Sequence, residues 1–252
     1  MAFPLRAPKK RKPVPQASNK SMKPSYFRIS LAIAVALLGA ILPLAVTVSA
    51  ANSVPLGAAS STGAKLTFRR IFKSSSPEFI EITVREDADQ GTYEIRQLEE
   101  DPEKLPFEVG AGLRAKMFEL AGELNHFQNQ DLDVHRKIAN LGEKTFRWEQ
   151  SGKSYEATFN YTLNASASQL LQIFEGLARQ QELLMLLERR MKYDRLGIND
   201  ALLQFETELN RKLLPEPQRA LSTLDQIAGD SRFVEIGRQR ARALAERIRH
   251  SS

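Results

Sequence analysis

Five side chains able to bind metal or move protons fall within thirteen residues: Glu123, His126, Asp131, Asp133 and His135. Glu123-Leu-Asn-His126 has the E-x-x-H spacing, which on a helix sets a carboxylate and an imidazole on one face. Di-iron carboxylate bundles use this pair, but they need two copies and two further glutamates. Here there is one copy. The three groups that follow bring the total to five oxygen and nitrogen ligands, in a spacing that matches no closed zinc or calcium site. The sharp reading is a metal-dependent enzyme built on these five residues. The plainer reading, which is favoured, is a helix end running into a polar loop.

The remaining chemical inventory is thin. The chain has no Cys, which removes disulfides, thiol catalysis, Cys-ligated zinc and a lipid-modified Cys. It has three His, one of them His250 near the C-terminus, and no G-x-S-x-G nucleophile turn. Gly110-Ala-Gly112 lacks the third Gly and the Lys of a phosphate loop, and reads as a helix entry. The expectation is a protein that is not an enzyme and needs no cofactor.

These groups need elements to position them. Lys65 to Lys73 alternates imperfectly. Phe79 to Arg85 places Ile80, Ile82 and Val84 on one side and Glu81, Thr83 and Arg85 on the other, as a half-buried strand does. Thr92 to Gln97 predicts a third strand, and Glu99 to Pro106 reads as an acidic loop with two prolines. From Gly110 to Phe127 the period changes: Leu113, Met117, Leu120, Leu124 and Phe127 step by three or four, predicting a helix. Thr145 to Glu149 and Tyr155 to Tyr161 predict a hairpin turning at Ser151-Gly152. Ser166-Ala-Ser-Gln169 matches a capping box ahead of a long helix to 195. Leu170, Leu177, Leu184, Met191, Ile198 and Phe205 recur every seven residues, but the second seam position includes Gln180 and Asp194. The favoured reading is packing on the chain's own sheet, and the alternative is a homodimer through the long helix. Gly197 with Asn199-Asp200 predicts a break, followed by helices reaching Leu214, Ala228 and Arg249. The fold class is α+β: an antiparallel sheet of about five strands with helices on one face, over 65–195, and a helical C-terminal region over 196–252.

The N-terminal part predicts where this domain works. Residues 1–28 carry eight Lys or Arg and no acid, as a basic lead held in the cytoplasm does. Ile29 to Ala50 is uncharged. Its 20 residues to Val48 would span about 30 Å as helix, enough to cross a bilayer. Pro43 and the small Val48-Ser49-Ala50 exit favour a signal peptide cut between Ala50 and Ala51. An uncleaved membrane anchor is the alternative, and both readings export the remainder. Residues 51–64 read as a flexible linker. The predicted location is the bacterial periplasm, free or anchored in the inner membrane.

The formal charge of +6 sits in the lead, since residues 51–252 hold 28 basic and 30 acidic groups, a net of −2. A body so balanced lacks the positive field that phosphate backbones require, which excludes nucleic acid as an expected partner. The last helix concentrates Arg232, Arg238, Arg240, Arg242, Arg247 and Arg249 against Glu235 and Glu246. That pattern suits a solvated face or contact with an anionic surface. An envelope protein or polymer is the expected partner.

EFIEITVRED, GLRAKMFELAGELNHF and KTFRWEQSGKSYEATFNYT, in that order, resemble small bacterial envelope domains of uncharacterised function. The same layout is similar to small bacterial inhibitors of zinc metalloproteases, over at most residues 65–180. That resemblance implies a protease-inhibitor role. The inhibitors' Gly-Gly-Phe start is absent here, and no functional residue is carried over.

Overall fold

A computed structural model describes residues 63–251. The lead, the apolar segment at 29–50 and the cut between Ala50 and Ala51 lie outside the described residues. Six antiparallel strands form one sheet: β1 (Lys65–Ile71), β2 (Phe79–Arg85), β3 (Gln90–Arg96), β4 (Leu105–Glu108), β5 (Glu143–Gln150) and β6 (Lys153–Phe159). Their spatial order is β4-β3-β2-β1-β5-β6. α1 (Ala111–Glu123) follows β4, and α2 (Ala165–Tyr193) follows β6. α3 (Ile198–Asn210), α4 (Leu221–Gly229) and α5 (Glu235–Ser251) complete the chain. The α+β class and the helices on one face are as the sequence predicts.

The extra strand is β4, inside the stretch that reads as an acidic loop. Leu105 and Phe107 turn inward, and Pro106 lies opposite Thr92. β4 is an edge strand, where a residue without an N–H does little harm to the ladder. At the other end of the sheet, the β5–β6 turn places Ser151 at φ 50° and Gly152 at φ 77°. Both centres are left-handed, the geometry that matches strand twist in a two-residue hairpin.

Alternation sorts the side chains. Leu66, Phe68, Ile80, Ile82, Val84, Phe146, Ala157 and Phe159 are buried beneath the helices. β1 breaks this pattern at Arg70, which faces inward at the end of the strand, 4.0 Å from Glu175 of α2. That charge is why its alternation looks imperfect. The opposite face carries Thr67, Arg69, Glu81, Thr83, Glu94, Thr145, Arg147 and Glu156. It is knitted by Thr67–Thr83 and Thr145–Thr158 hydroxyl contacts of 3.1 and 3.0 Å. Arg96–Glu94, Lys104–Glu81 and Arg147–Glu156 pairs add to it, at 2.6, 2.8 and 2.8 Å.

Two cores share α2. The first joins the inner sheet face, α1 and the N-terminal half of α2, with Leu170, Phe174 and Leu177 contributed by that helix. The second gathers Leu183 and Leu187 of α2 with α3, α4 and α5. Leu184 and Met191 pack against it, and Ile198 and Phe205 lie in it from α3. Leu170 and Leu177 of the seven-residue seam thus pack on the sheet, as the favoured reading has it, whereas Leu184, Met191, Ile198 and Phe205 pack among the helices of the second core. The helix cap differs from expectation. Asn164, not Ser166, caps α2, its Oδ1 accepting from Ala167 N at 3.0 Å.

The cores are fastened where Leu213–Pro215 crosses α2. A Cβ on Gly176 would lie 2.7 Å from the Leu213 carbonyl and 2.9 Å from Pro215 Cγ, so only glycine permits the crossing. Gln180, 1% exposed, accepts the Glu216 N–H at 3.0 Å. The buried Glu216 carboxylate accepts from Gly110 N at 2.9 and 3.1 Å, at the entry of α1. Arg219 adds an ion pair to Glu108 beside it. The Gly110-Ala-Gly112 stretch is indeed a helix entry, and the chain's own carboxylate occupies its anion-favouring end.

Candidate functional site

The structure distributes the five candidate ligands instead of gathering them. α1 ends at Glu123, so His126 lies beyond the helix and the E-x-x-H pair loses its common face. Glu123 accepts from Ser166 Oγ at 2.5 Å, joining the end of α1 to the start of α2. His126 instead sits against Trp148, ring centroids 4.3 Å apart. Among the described residues, no three His, Cys, Asp or Glu come together as a metal-holding group.

Asp131, Asp133 and His135 form a separate corner beside β6. Asp133 Oδ1 accepts from Asn160 N at 2.9 Å and Tyr161 N at 3.2 Å, which pins the 128–142 loop to the end of the sheet. Those two N–H donors hold its carboxyl below the usual range. His135 Nε2 meets Asp131 Oδ2 at 2.6 Å, and its Nδ1 is 3.9 Å from Asp133. The corner opens on a cavity of about 770 Å³ shared with Lys73, Glu143 and Asn140. Chemically it is an exposed acid–imidazole pair whose bonds serve the loop.

The hydrogen bond that the His135 imidazolium donates to Asp131 raises the His135 pKa, and the same bond lowers that of Asp131. The raised imidazole adds stability that is complete below its unfolded value of about 6.5. That contribution fades as pH rises through the higher folded value. The lowered carboxyl adds stability that is lost as pH falls through its own folded value. The loop is therefore best ordered between the two. An NMR titration should place His135 above the ordinary imidazole value, and Asp131→Asn should lower it, with Asp133 still favouring the charged ring. An unshifted His135 in the unmodified chain would show that the pair does not form in solution.

A second opening, of about 610 Å³, lies where α1 meets the β5 end of the sheet. Phe118, Trp148 and His126 supply rings, Glu86 and Glu119 carboxylates, and Arg114 and Gln150 further polar groups. Arg114 Nη1 donates to the carbonyls of Ala88 and Val109 at 2.9 and 3.4 Å. Asn125, His126 and Phe127 all have positive φ, 49°, 53° and 66°, a conformation that costs energy for residues with a Cβ. Phe127 is repaid by stacking on Phe146 at 5.4 Å. Sequence reasoning did not single out this cleft. Its one legible signal is Trp148, the chain's single Trp, placed inward by the alternation Phe146-x-Trp148.

The arginines of α5 and its approach are mostly spoken for. Arg232 pairs with Asp230 at 2.6 Å, Arg238 with Glu235 at 2.9 Å and Arg249 with Asp225 at 2.5 Å. Arg240 and Arg247 both reach Glu206. Arg240, Arg247 and Arg249 thus fasten α5 to α3 and α4, while Arg232 and Arg238 are held in local pairs, which breaks up the basic face. Among the described residues no helix is long and apolar enough to cross a membrane. No known protein family matches the chain, and comparison with curated proteins gives no match.

Proposed function

We propose that the chain is an exported bacterial envelope protein that acts by binding rather than catalysis, with the uncovered face of its sheet as the contact surface. The observation that carries this reading is the one-sided sheet: among the described residues, no helix packs on its second face. Phe118 of α1 meets Trp148, and Phe174 of α2 stacks on Phe68, so these helices reach the sheet from its inner face. The other face is a broad lattice of Thr, Arg and Glu. Its charges mostly neutralise one another. Arg69, on the central strand β1, has no ion pair among the described residues. A mixed, self-satisfied face of this kind recognises a partner by complementarity of pattern, not by net field. The basic lead and apolar segment support delivery across the inner membrane, and the small, uncharged composition of residues 51–62 supports display on a tether. Gly63 and Ala64, the end of the expected linker, instead belong to the domain, with Ala64 buried and its carbonyl accepting from Glu86 N at 2.9 Å. Envelope protein or polymer is the matching partner class.

Alkaline phosphatase fused after residue 64 is expected to be active, because that enzyme matures only outside the cytoplasm. An inactive fusion, with the unmodified chain in the cytosolic fraction, would overturn the location. Arg69→Ala, which breaks no ion pair among the described residues, should weaken capture of envelope material by the purified domain at least tenfold at little-changed Tm. Undiminished capture would move the contact surface elsewhere. A second reading, protease inhibition, has one observation in its favour. β6 is an edge strand without Pro, and Ser154, Glu156 and Thr158 are exposed on it, so an extended segment can add to it.

A further inference from the structure

The cleft between α1 and β5 has unfinished hydrogen bonding. Trp148 is 6% exposed, yet among the described residues its indole N–H meets no acceptor. That nitrogen is also not one of the three that are sealed off without a partner, the Nε atoms of Arg70, Arg190 and Arg219. It therefore reaches solvent from a nearly buried ring, in a cleft of about 610 Å³ that the ring lines. Buried Trp N–H groups ordinarily find a partner. Neither ring nitrogen of His126 is bonded to another described residue either. The three consecutive left-handed residues hold that imidazole against Trp148, and strain kept in this way is characteristic of sites with a task.

From these observations we propose that the cleft binds a saccharide ring. The reasoning is one of elimination by charge and of matching by geometry. An anionic ligand would meet Glu86, which accepts from Ala64 N at 3.3 Å and carries no ion pair among the described residues, and Glu119, whose charge Lys116 shares at 3.0 Å. A cationic one would meet Arg114 and leave the Trp148 donor without an acceptor. A neutral polyol meets neither difficulty, since each hydroxyl both donates and accepts. Carboxylates, a side-chain amide, a guanidinium and an imidazole together suit a ring of neighbouring hydroxyls. The apolar C–H face of such a ring packs on aromatic surface, which Phe118, His126 and Trp148 provide. The site is on the helix side of the sheet, so it stands or falls independently of the uncovered face.

Because Trp148 is the chain's single Trp, its fluorescence reports on this cleft alone. The full chain is titrated with tetrasaccharides of N-acetylglucosamine, of α-linked glucose and of β-linked glucose, with choline and inorganic phosphate as charged arms. Calorimetry accompanies each titration. At least one tetrasaccharide should give a saturable change at millimolar concentration or below, weakened at least tenfold by Gln150→Ala and by His126→Ala. Asp101→Ala, exposed in the β3–β4 loop away from both the cleft and the uncovered face, should leave it unchanged. Sedimentation with insoluble cell-wall glycan distinguishes a polymer source from free sugar. Absence of any saccharide signal in both measurements, or saturation by choline or phosphate alone, overturns the proposal. So does sugar binding that survives both cleft substitutions.

Discussion

Phe146→Ala should destabilise the protein by about 3–5 kcal/mol, the cost of removing a buried aromatic and leaving a cavity. Phe146 is 0% exposed. Its ring lies 5.8 Å from Phe68, 5.4 Å from Phe127, 5.2 Å from Phe159 and 6.0 Å from Phe174. It therefore joins strands β1, β5 and β6, the left-handed turn after α1, and α2. Close-packed neighbours relax only partly into such a gap. The measurement is denaturant unfolding, read as a fall in midpoint at unchanged m. In a domain of this size Tm should drop by roughly 10 °C or more. Phe146→Leu keeps most of the volume and should recover more than half of the loss. A loss under about 1 kcal/mol for the alanine variant, the range of a well-tolerated swap, would mean that the five rings do not form one cluster.

Glu216→Ala should cost about 2–3 kcal/mol, within the range for charge-assisted bonds and stranded buried donors. The glutamate is 4% exposed, and both its oxygens accept from Gly110 N. Truncation strands that N–H at the start of α1 and removes the carboxylate 3.8 Å from Arg219. Glu216→Gln retains one acceptor and should lose roughly half as much. Gly110→Ala should mimic the alanine variant, because a Cβ there runs into the carboxylate. Hydrogen exchange should quicken in the first turn of α1, more than a hundred residues from the substitution. Unchanged exchange there, with stability lost only in α3 to α5, would show that the tie is incidental.

Most of the fold could be read because it follows from local periods. Strands β2, β5 and β6 alternate cleanly, and α1 to α3 show apolar steps of three and four. β4 was missed because four residues flanked by acids and carrying Pro106 lack any local strand signal. Its place comes from pairing with β3, a long-range fact. The capping of α2 was assigned to Ser166 because its spacing fits a capping box, but Asn164 supplies the cap and Ser166 is taken by Glu123. The polar Gln180 in the heptad seam looked like a defect in a coiled coil. It is the acceptor that lets a backbone N–H cross α2 in a buried place. The candidate ligand cluster was legible as residues and not as a site. Chain proximity put five groups within thirteen residues, and the left-handed run at 125–127 then turned His126 away. No pattern in the sequence announces a bend of three non-glycine residues with positive φ, so the cleft at Trp148 was out of reach.

α2 is 29 residues long, and both cores are built on opposite halves of it. An α-helix advances about 1.5 Å and turns about 100° with each residue. One residue inserted between Ala178 and Leu183 would therefore swing the distal helices a quarter-turn or more about the shaft. Gly176 would no longer face the strap that crosses it, and Glu216 would be carried away from Gly110. The angular phase of a single rod thus sets the orientation of one half of the molecule relative to the other. Lengthening or shortening is tolerable in the loops at either end of that rod, but not along its middle.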